Sequence, residues 1–281
     1  GDVYKRQEGD KMTKIKHIFS DLDGTLLDDQ GKISKKTQEV IENSNLPFSL
    51  VSARAPQAME NLINQLNLKS SQVAFNGGLI FAKKEVIKAN PMVHASAQEL
   101  IKTIKKDYPE INLSLYSLSD WYVEKIDKDI EQEMQFTPQV PKLVDLETLI
   151  TERPRLEIFK ILLITPNESK LEEIKKHLEK LNFPDIIIQK TWETYLEITH
   201  LEAQKAKAVQ FIAQREQLEQ SELAAFGDNE NDLSMLKAVG LPIVMANASD
   251  DLKKIGKVIT KSNTEDGVAY GIQKYITDSP F

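Results

Sequence analysis

The sequence predicts an α/β fold in which a parallel-sheet core is interrupted by an inserted module of α+β character with a mostly antiparallel sheet. Three observations point there. From Met12 onward, short apolar runs alternate with amphipathic stretches, as strands and their covering helices do in a parallel sheet. After about Gly78 the style changes to strand-like runs with only two helices among them. Alternation then resumes near Thr194. The 281 residues exceed one usual hydrophobic core, so one large or two moderate domains are expected. The change of pattern places the core at 12–79 and 191–281 and the insertion at 80–190.

The elements follow in order. Ile15, His17, Ile18 and Phe19 read as a short buried strand at 15–20. Ser34 is placed to cap a helix with Thr37, Val40 and Ile41 on its buried side. Phe48 to Ser52 is the next strand. Pro56 suits a first helical turn, and Met59, Leu62, Ile63 and Leu66 recur at helical spacing. A third core strand is read at 72–75. In the insertion, 80–88 reads as a hairpin and 96–107 as a helix opened by the capping box Ser96-Ala97-Gln98-Glu99. Extended segments are expected at 111–116, 121–124 and 157–164. A charged helix begins near Asn167 with Leu171, Ile174, Leu178 and Leu181 on one face, and a strand follows at 186–189. The stretch 128–154, rich in Pro, Glu and Asp, carries no clear period. In the resumed core, strands are read at 194–199, 223–227, 241–245 and 257–260. Helices are read over about 203–216 and at 230–239, the second ended by Gly240. Residues 1–11 carry no periodicity, and Met12 looks like a natural start, so they are read as a leader or cloning remnant.

Composition excludes several kinds of chemistry. With no cysteine, disulfides, thiolate zinc sites and cysteine nucleophiles are impossible. Lys+Arg 36 against Asp+Glu 43 gives a net charge of −7, which argues against a nucleic-acid binder. It does not argue against phosphorylated substrates, because a pocket's local field can oppose the global sign. No apolar run reaches membrane-spanning length, and the N-terminus lacks the apolar core of a signal peptide. A cytoplasmic enzyme without membrane or nucleic-acid partners is expected, as a monomer or weak homo-oligomer. The four histidines show no metal-ligand spacing and read as structural or surface residues.

Asp21 and Asp23 stand where the first apolar run ends, and Gly24 allows a sharp turn directly after them. Ligands bind at the carboxyl ends of strands in open α/β sheets. Two acids there can divide nucleophilic and acid–base work or share a hard cation such as Mg²⁺. An ordinary Asp-rich turn would look the same. A second group of acids, in Gly227-Asp228-Asn229-Glu230-Asn231-Asp232, follows the apolar run 223–226. Asp228, Asn231 and Asp232 offer hard oxygen ligands, and a helix N-cap with acids favouring the dipole accounts for them equally well. Ser52 and Arg54 put a hydroxyl and a guanidinium past another strand, where they suit a phosphate; a capping serine is the plainer reading. Asn76, Gly77 and Gly78 end the third strand and permit close backbone approach to a ligand, as does any turn. Lys205 lies near a helix start, where lysines are usually just solvated.

Taken in order, Asp-Leu-Asp-Gly-Thr at 21–25, Ser52, Lys205 and Gly-Asp-Asn-Glu-Asn-Asp at 227–232 resemble the four motifs of haloacid dehalogenase-like phosphohydrolases. The phrases Phe75-Asn76-Gly77-Gly78, Met245-Ala246-Asn247-Ala248 and Glu265-Asp266-Gly267-Val268-Ala269 resemble the Cof-type, sugar-phosphatase-like branch, whose large cap sits between the second and third motifs. The resemblance spans about Met12 to Tyr275. Two departures stand out: Ser52-Ala53-Arg54 where the branch often has Thr-Gly-Arg, and Ala206 after Lys205 where it often has Gly. Lys207 is therefore a competitor for the third motif, and motif position favours Lys205.

The resemblance implies a Rossmann-like core with an α+β cap, and a Mg²⁺-dependent phosphatase of small phosphorylated metabolites. It makes Asp21 the nucleophile that forms an aspartyl phosphate, and Asp23 the general acid and base. It gives Mg²⁺ to Asp21, the Asp23 main-chain carbonyl and Asp228, with Asp232 and Asn231 as supports. Ser52, Lys205, Arg54, Asn76, Gly77 and Asn231 would hold phosphate or substrate. In the cap, Trp121 and Tyr122 weigh toward core, and Arg153, Arg155 and Lys160 toward solvated charge. The competing readings are a phosphotransferase or phosphomutase of the same architecture and a non-catalytic metabolite-binding regulator. A dehalogenase fits the acids less well.

Overall fold

The computed structural model describes residues 13–277, so the expected leader at 1–11 lies outside the described residues. The chain divides into two compact units. One holds the residues up to Ser52, Leu62–Gln72 and the chain from Lys205; the other holds Ala53–Asn61 and Val73–Gln204.

The first unit is built on a five-stranded parallel sheet. Its order is Val258–Ile259, Leu241–Val244, Leu223–Gly227, His17–Ser20, Phe48–Leu50. His17–Ser20 and Leu223–Gly227 are buried along their whole length, so they read as continuous runs rather than alternations. The helix Lys35–Ser44 is capped by Ser34, whose hydroxyl accepts from the Thr37 amide, and it buries Thr37, Val40 and Ile41. His17 is structural: its fully buried ring lies 2.6 Å from Glu216 Oε2 and 2.8 Å from Ser49 Oγ.

The expected core strand at 72–75 is corrected. Gln72–Ala74 joins Leu79–Ala82 and Glu85–Ala89 in a separate three-stranded sheet. The outer edge of Phe48–Leu50 is closed instead by side chains, Gln72 with the Ser70 hydroxyl, which donates to the Phe48 carbonyl. The Leu50 amide donates to Gln72 Oε1 at 2.6 Å, and Gln72 Nε2 donates to the Phe48 carbonyl at 3.2 Å. A primary amide carries both N–H donors and a carbonyl acceptor, so it can meet a strand amide and a strand carbonyl as a neighbouring strand would have done.

The second unit centres on a six-stranded sheet. Its order is Ile186–Trp192, Tyr195–His200, Ile158–Ile164, Ser114–Ser117, Trp121–Val123, Lys142–Leu143. All neighbours are antiparallel except the last pair. One face packs Leu115, Ile161, Leu163 and Ile198 against the helices His94–Asp107, Leu146–Glu152 and Glu168–Lys180 in a single apolar cluster.

Three further expectations change here. The strand read at 194–199 as core is Tyr195–His200. It pairs antiparallel with Ile186–Trp192 across the turn Glu193–Thr194. Its alternation of Leu196 and Ile198 with Glu197 and Thr199 is the mark of a two-faced strand, unlike the continuous runs of a doubly covered one. The helix expected at 96–107 starts earlier, at His94, so Ser96 lies inside it and is no cap. The unpatterned stretch 128–154 contains the helices Lys128–Met134 and Leu146–Glu152, opened by Asp127 and Asp145, whose side chains accept from Ile130 and Thr148 amides. Trp121 and Tyr122 are fully buried. No described helix is long and apolar enough to cross a membrane.

Candidate active site

Asp21 directly follows His17–Ser20, and Asp228 directly follows Leu223–Gly227. These strands are parallel neighbours, with Ser20 opposite Phe226, so both acids emerge at the carboxyl end of the sheet. The Asp21 amide donates to the Phe226 carbonyl at 3.1 Å, which fixes one strand end against the other. The turn after Asp21 depends on Gly24, whose φ is +79°. A Cβ there would also lie 2.3 Å from Asp228 Oδ2.

Three side chains complete the cluster. Lys205 opens the helix Lys205–Arg215, and its side chain is 1% exposed. Its Nζ donates to Asp21 Oδ1 at 2.9 Å and to Asp232 Oδ1 at 2.7 Å. The other oxygen of Asp232 accepts from the Asp228 and Asn229 amides at 3.0 and 3.1 Å. Thr25 Oγ1 donates to Asp228 Oδ1 at 2.6 Å. The cap reading of 228–232 holds for two of its residues. Asn229 and Asp232 form a capping box for the turn Glu230–Asp232, while the Asp228 carboxylate takes no part in it and faces Asp21 and Thr25.

The electrostatics follow from one ammonium among two buried acids, Asp21 and Asp232, and the half-buried Asp228. Burial first, then the charge of Asp232, holds the Asp21 carboxyl well above the ordinary range, with Lys205 opposing. Burial and Asp232 likewise push Asp228 up to about 6, against the hydrogen bond from Thr25. The two acids hold Lys205 protonated beyond the usual lysine value, although burial works against it. Oxygens of Asp21, Asp228 and Asp232 lie within 4.8 Å of one another. The Asp232 oxygens are taken by Lys205 and two amides, so the oxygens that fit a hard divalent cation such as Mg²⁺ are those of Asp21 and Asp228.

The other expected residues are distributed as follows. Ser52 is buried two residues beyond Phe48–Leu50, whose pairing with His17–Ser20 carries it to the same sheet end as Asp21. Asp23 is half-buried in the Leu22–Leu26 turn and adds no carboxylate to the group of three. The Asn231 amide donates to Asn229 Oδ1 at 3.2 Å. Arg54, Asn76 and Gly77 belong to the second unit. There Arg54 donates to the Ala58 carbonyl at 3.1 Å, Asn76 bonds Gln189, and Gly77 has φ +114°. Lys207 is half-buried on the same helix as Lys205, and it is Lys205 that reaches Asp21.

Two residues of the site stand within the motifs of the sequence but carry no role there. Thr25 is visible only as the last letter of Asp-Leu-Asp-Gly-Thr. Asn247, more than 200 positions on, donates from Nδ2 to the Gly24 carbonyl at 2.9 Å and pins the turn.

Comparison with known proteins gives the family. A family model described as haloacid dehalogenase-like hydrolase matches residues 18–272. A Haemophilus influenzae protein provisionally named a phosphatase is 31% identical over 261 residues, covering 90% of this chain and 95% of its own. A Bacillus subtilis 5-amino-6-(5-phospho-D-ribitylamino)uracil phosphatase is 26% identical, covering 94% of this chain and 99% of its own. Among solved structures, a Thermotoga maritima protein superposes with a TM-score of 0.80 at 28% identity, over 94% of this chain and 98% of that one. The chain accordingly belongs to the haloacid dehalogenase-like hydrolase family, of the Cof type, and is a phosphatase.

Proposed function

We propose that the protein is a Mg²⁺-dependent phosphatase of small phosphorylated metabolites, sugar phosphates foremost, and that it works through an aspartyl phosphate on Asp21. The observation that carries this reading is the buried lysine held between Asp21 and Asp232 beside Asp228. A structural ion pair needs one acid; here three surround a single ammonium at the carboxyl end of a parallel sheet.

In this reading an Asp21 carboxylate oxygen attacks phosphorus in line, and the bond from phosphorus to the ester oxygen breaks. Asp23 gives its proton to the departing alkoxide, then takes one from the water that attacks the acyl phosphate, which regenerates Asp21 and releases phosphate. Lys205 keeps Asp21 oriented and neutralises charge on the transferring group, and Ser52 donates to one of its oxygens. Asp21, Asp228 and the Asp23 main-chain carbonyl would hold Mg²⁺. When bound, the ion offsets repulsion between the carboxylate and the phosphate dianion and favours the ionised form of the acids. Asp232 serves as a positioning residue, because its oxygens are taken by Lys205 and two backbone amides. Arg54, Asn76, Gly77 and Asn231 are proposed to contact substrate, and the insertion at about 80–190 to select the leaving group as a cap.

The phosphorylated ribityl compound named for the Bacillus subtilis relative supports a small hydroxylated substrate. The test is a phosphate-release screen over phosphorylated metabolites with Mg²⁺, using Asp21→Asn as the control. Turnover confined to the wild-type protein is expected. Release that survives Asp21→Asn, or no release from any ester, would contradict the reading.

A further inference from the structure

The parallel sheet ends in two strands, Leu241–Val244 and Val258–Ile259, that supply neither the acids of the site nor its lysine. Their carboxyl ends lead instead to two asparagines, Asn247 and Asn263. Asn247 donates from Nδ2 to the Gly24 carbonyl at 2.9 Å, and its Oδ1 accepts from the Asn263 amide at 3.1 Å. Asn263 in turn donates from Nδ2 to the Leu27 carbonyl at 3.0 Å and to Asp29 Oδ1 at 3.1 Å. The pair therefore grips the turn Leu22–Leu26 near its middle and just past its end.

That turn carries Asp23. The backbone closes it by bonds from the Leu26 amide to the Asp21 carbonyl at 3.4 Å and from the Leu27 amide to the Leu22 carbonyl at 3.0 Å. Between them Asp23 (φ −69°, ψ 123°) and Gly24 (φ +79°) leave the helical region, so no helical ladder fixes the peptides on either side of the Asp23 side chain. The Asn263 amide can only donate, which turns the Asn247 oxygen toward it and leaves the Asn247 NH₂ facing Gly24. Asn247 is exposed, so its bond competes with water and adds little to the stability of the fold. Its effect is to select one setting of the turn.

We propose that Asn247 and Asn263 are positioning residues for phosphoryl transfer: together they set the turn so that the Asp23 carboxyl faces the leaving oxygen. This rests on the reading of Asp23 as general acid and names what aims it. Thr25 ties the same turn to Asp228 at 2.6 Å, so the acid and the Asp228 carboxylate are held in one frame. A general acid works only within hydrogen-bond reach of the oxygen it protonates. Misplacement by about 1 Å can cost about 100-fold in rate. Two strands without reacting groups of their own thus serve the chemistry by fixing the turn that has one.

The test compares the full-length protein with Asn247→Ala, Asn263→Ala, Asp23→Ala and the double variant Asn247→Ala/Asp23→Ala, with Mg²⁺, on two esters of similar size. Benzyl phosphate releases a basic alkoxide that needs a proton, and p-nitrophenyl phosphate releases a stable anion that does not. Thermal melting is expected to find both asparagine variants folded, with Tm near that of the wild type. The readout is kcat/KM, which reports the steps through departure of the alcohol. Asn247→Ala should lower it about 10–100-fold on benzyl phosphate. On p-nitrophenyl phosphate the change should stay within about threefold. Asn263→Ala should give a smaller change of the same kind. In the Asp23→Ala background Asn247→Ala should add nothing, because its effect passes through that carboxyl. Amide exchange at Leu26 and Leu27 should quicken in Asn247→Ala, with His17–Ser20 unchanged. Equal losses on both esters, no loss on either, additivity with Asp23→Ala, or unchanged exchange would overturn the proposal. Equal loss from Asp23→Ala itself on both esters would refute the acid assignment instead, and exchange at Leu26 and Leu27 then still decides whether the pair holds the turn.

Discussion

Replacing Lys205 by methionine tests whether its ammonium holds the carboxylates together. Lys205 is 1% exposed and makes contacts of 2.9 and 2.7 Å to two acids. At an effective dielectric of about 20, each contact is worth about 6 kcal/mol of gross attraction. Desolvation of the ammonium and of the acids offsets most of that. What remains when one partner of a buried pair is deleted is about 3–5 kcal/mol, chiefly the cost of charges left without a counterion. The sign with pH follows. Lys205 opposes the upward displacement of Asp21, so without it the fold retains the proton on Asp21 to higher pH. The loss of stability should therefore be largest near pH 8 and shrink as pH falls and the raised Asp21 carboxyl takes up its proton in the fold. Tryptophan fluorescence is the wrong probe, since Trp121 and Trp192 both lie in the second unit. Native-state hydrogen exchange at His17–Ser20 and Leu223–Gly227 reads the first unit directly. Lys205→Met should also lower kcat by ~10³. Wild-type protection in those strands at pH 8, or a loss that does not depend on pH, would refute the reasoning.

Asp228 gives a second pH signature. An acid held at about 6 favours the protonated fold, so the metal-free protein should lose stability as pH rises from about 4 to about 7. The loss is on the order of 3 kcal/mol. Asp228→Asn should flatten that slope in melts with chelator, and added Mg²⁺ should raise the wild-type Tm more at pH 8 than at pH 5. Gly24→Ala meets a φ of +79° and a 2.3 Å approach to Asp228 Oδ2; calorimetric titration should find Mg²⁺ affinity lowered about 10–100-fold. Gln72→Leu leaves a buried strand amide without an acceptor and should cost about 2–3 kcal/mol, seen as faster exchange at Phe48–Leu50 with kcat unchanged.

The legible parts of the molecule are those where local chemistry is enough. Continuous apolar runs ending in acids, at Ser20–Asp21 and Gly227–Asp228, identify doubly covered strands and the ends from which the carboxylates emerge. Ser34 and Asn167 identify helix starts because a side-chain acceptor is needed there. What a linear reading lacks is adjacency. Nothing near Lys205 indicates that its stem is buried or that it meets acids 184 and 27 residues away. Gln72 looks like the start of a core strand, and only the fold turns its side chain into a substitute for one. Tyr195–His200 is the opposite case. Its alternating pattern is that of a two-faced antiparallel strand, which the reading of 194–199 as a core strand passes over.

The account turns on Asp21 as the atom donor to phosphorus. Protein mixed with a turned-over phosphate ester and Mg²⁺, quenched in acid within the first turnover and digested, should yield a peptide spanning Asp21 that carries one phosphoryl group. The adduct should be absent from Asp21→Asn. Turnover with no adduct on that peptide, or an adduct that persists in Asp21→Asn, would contradict it.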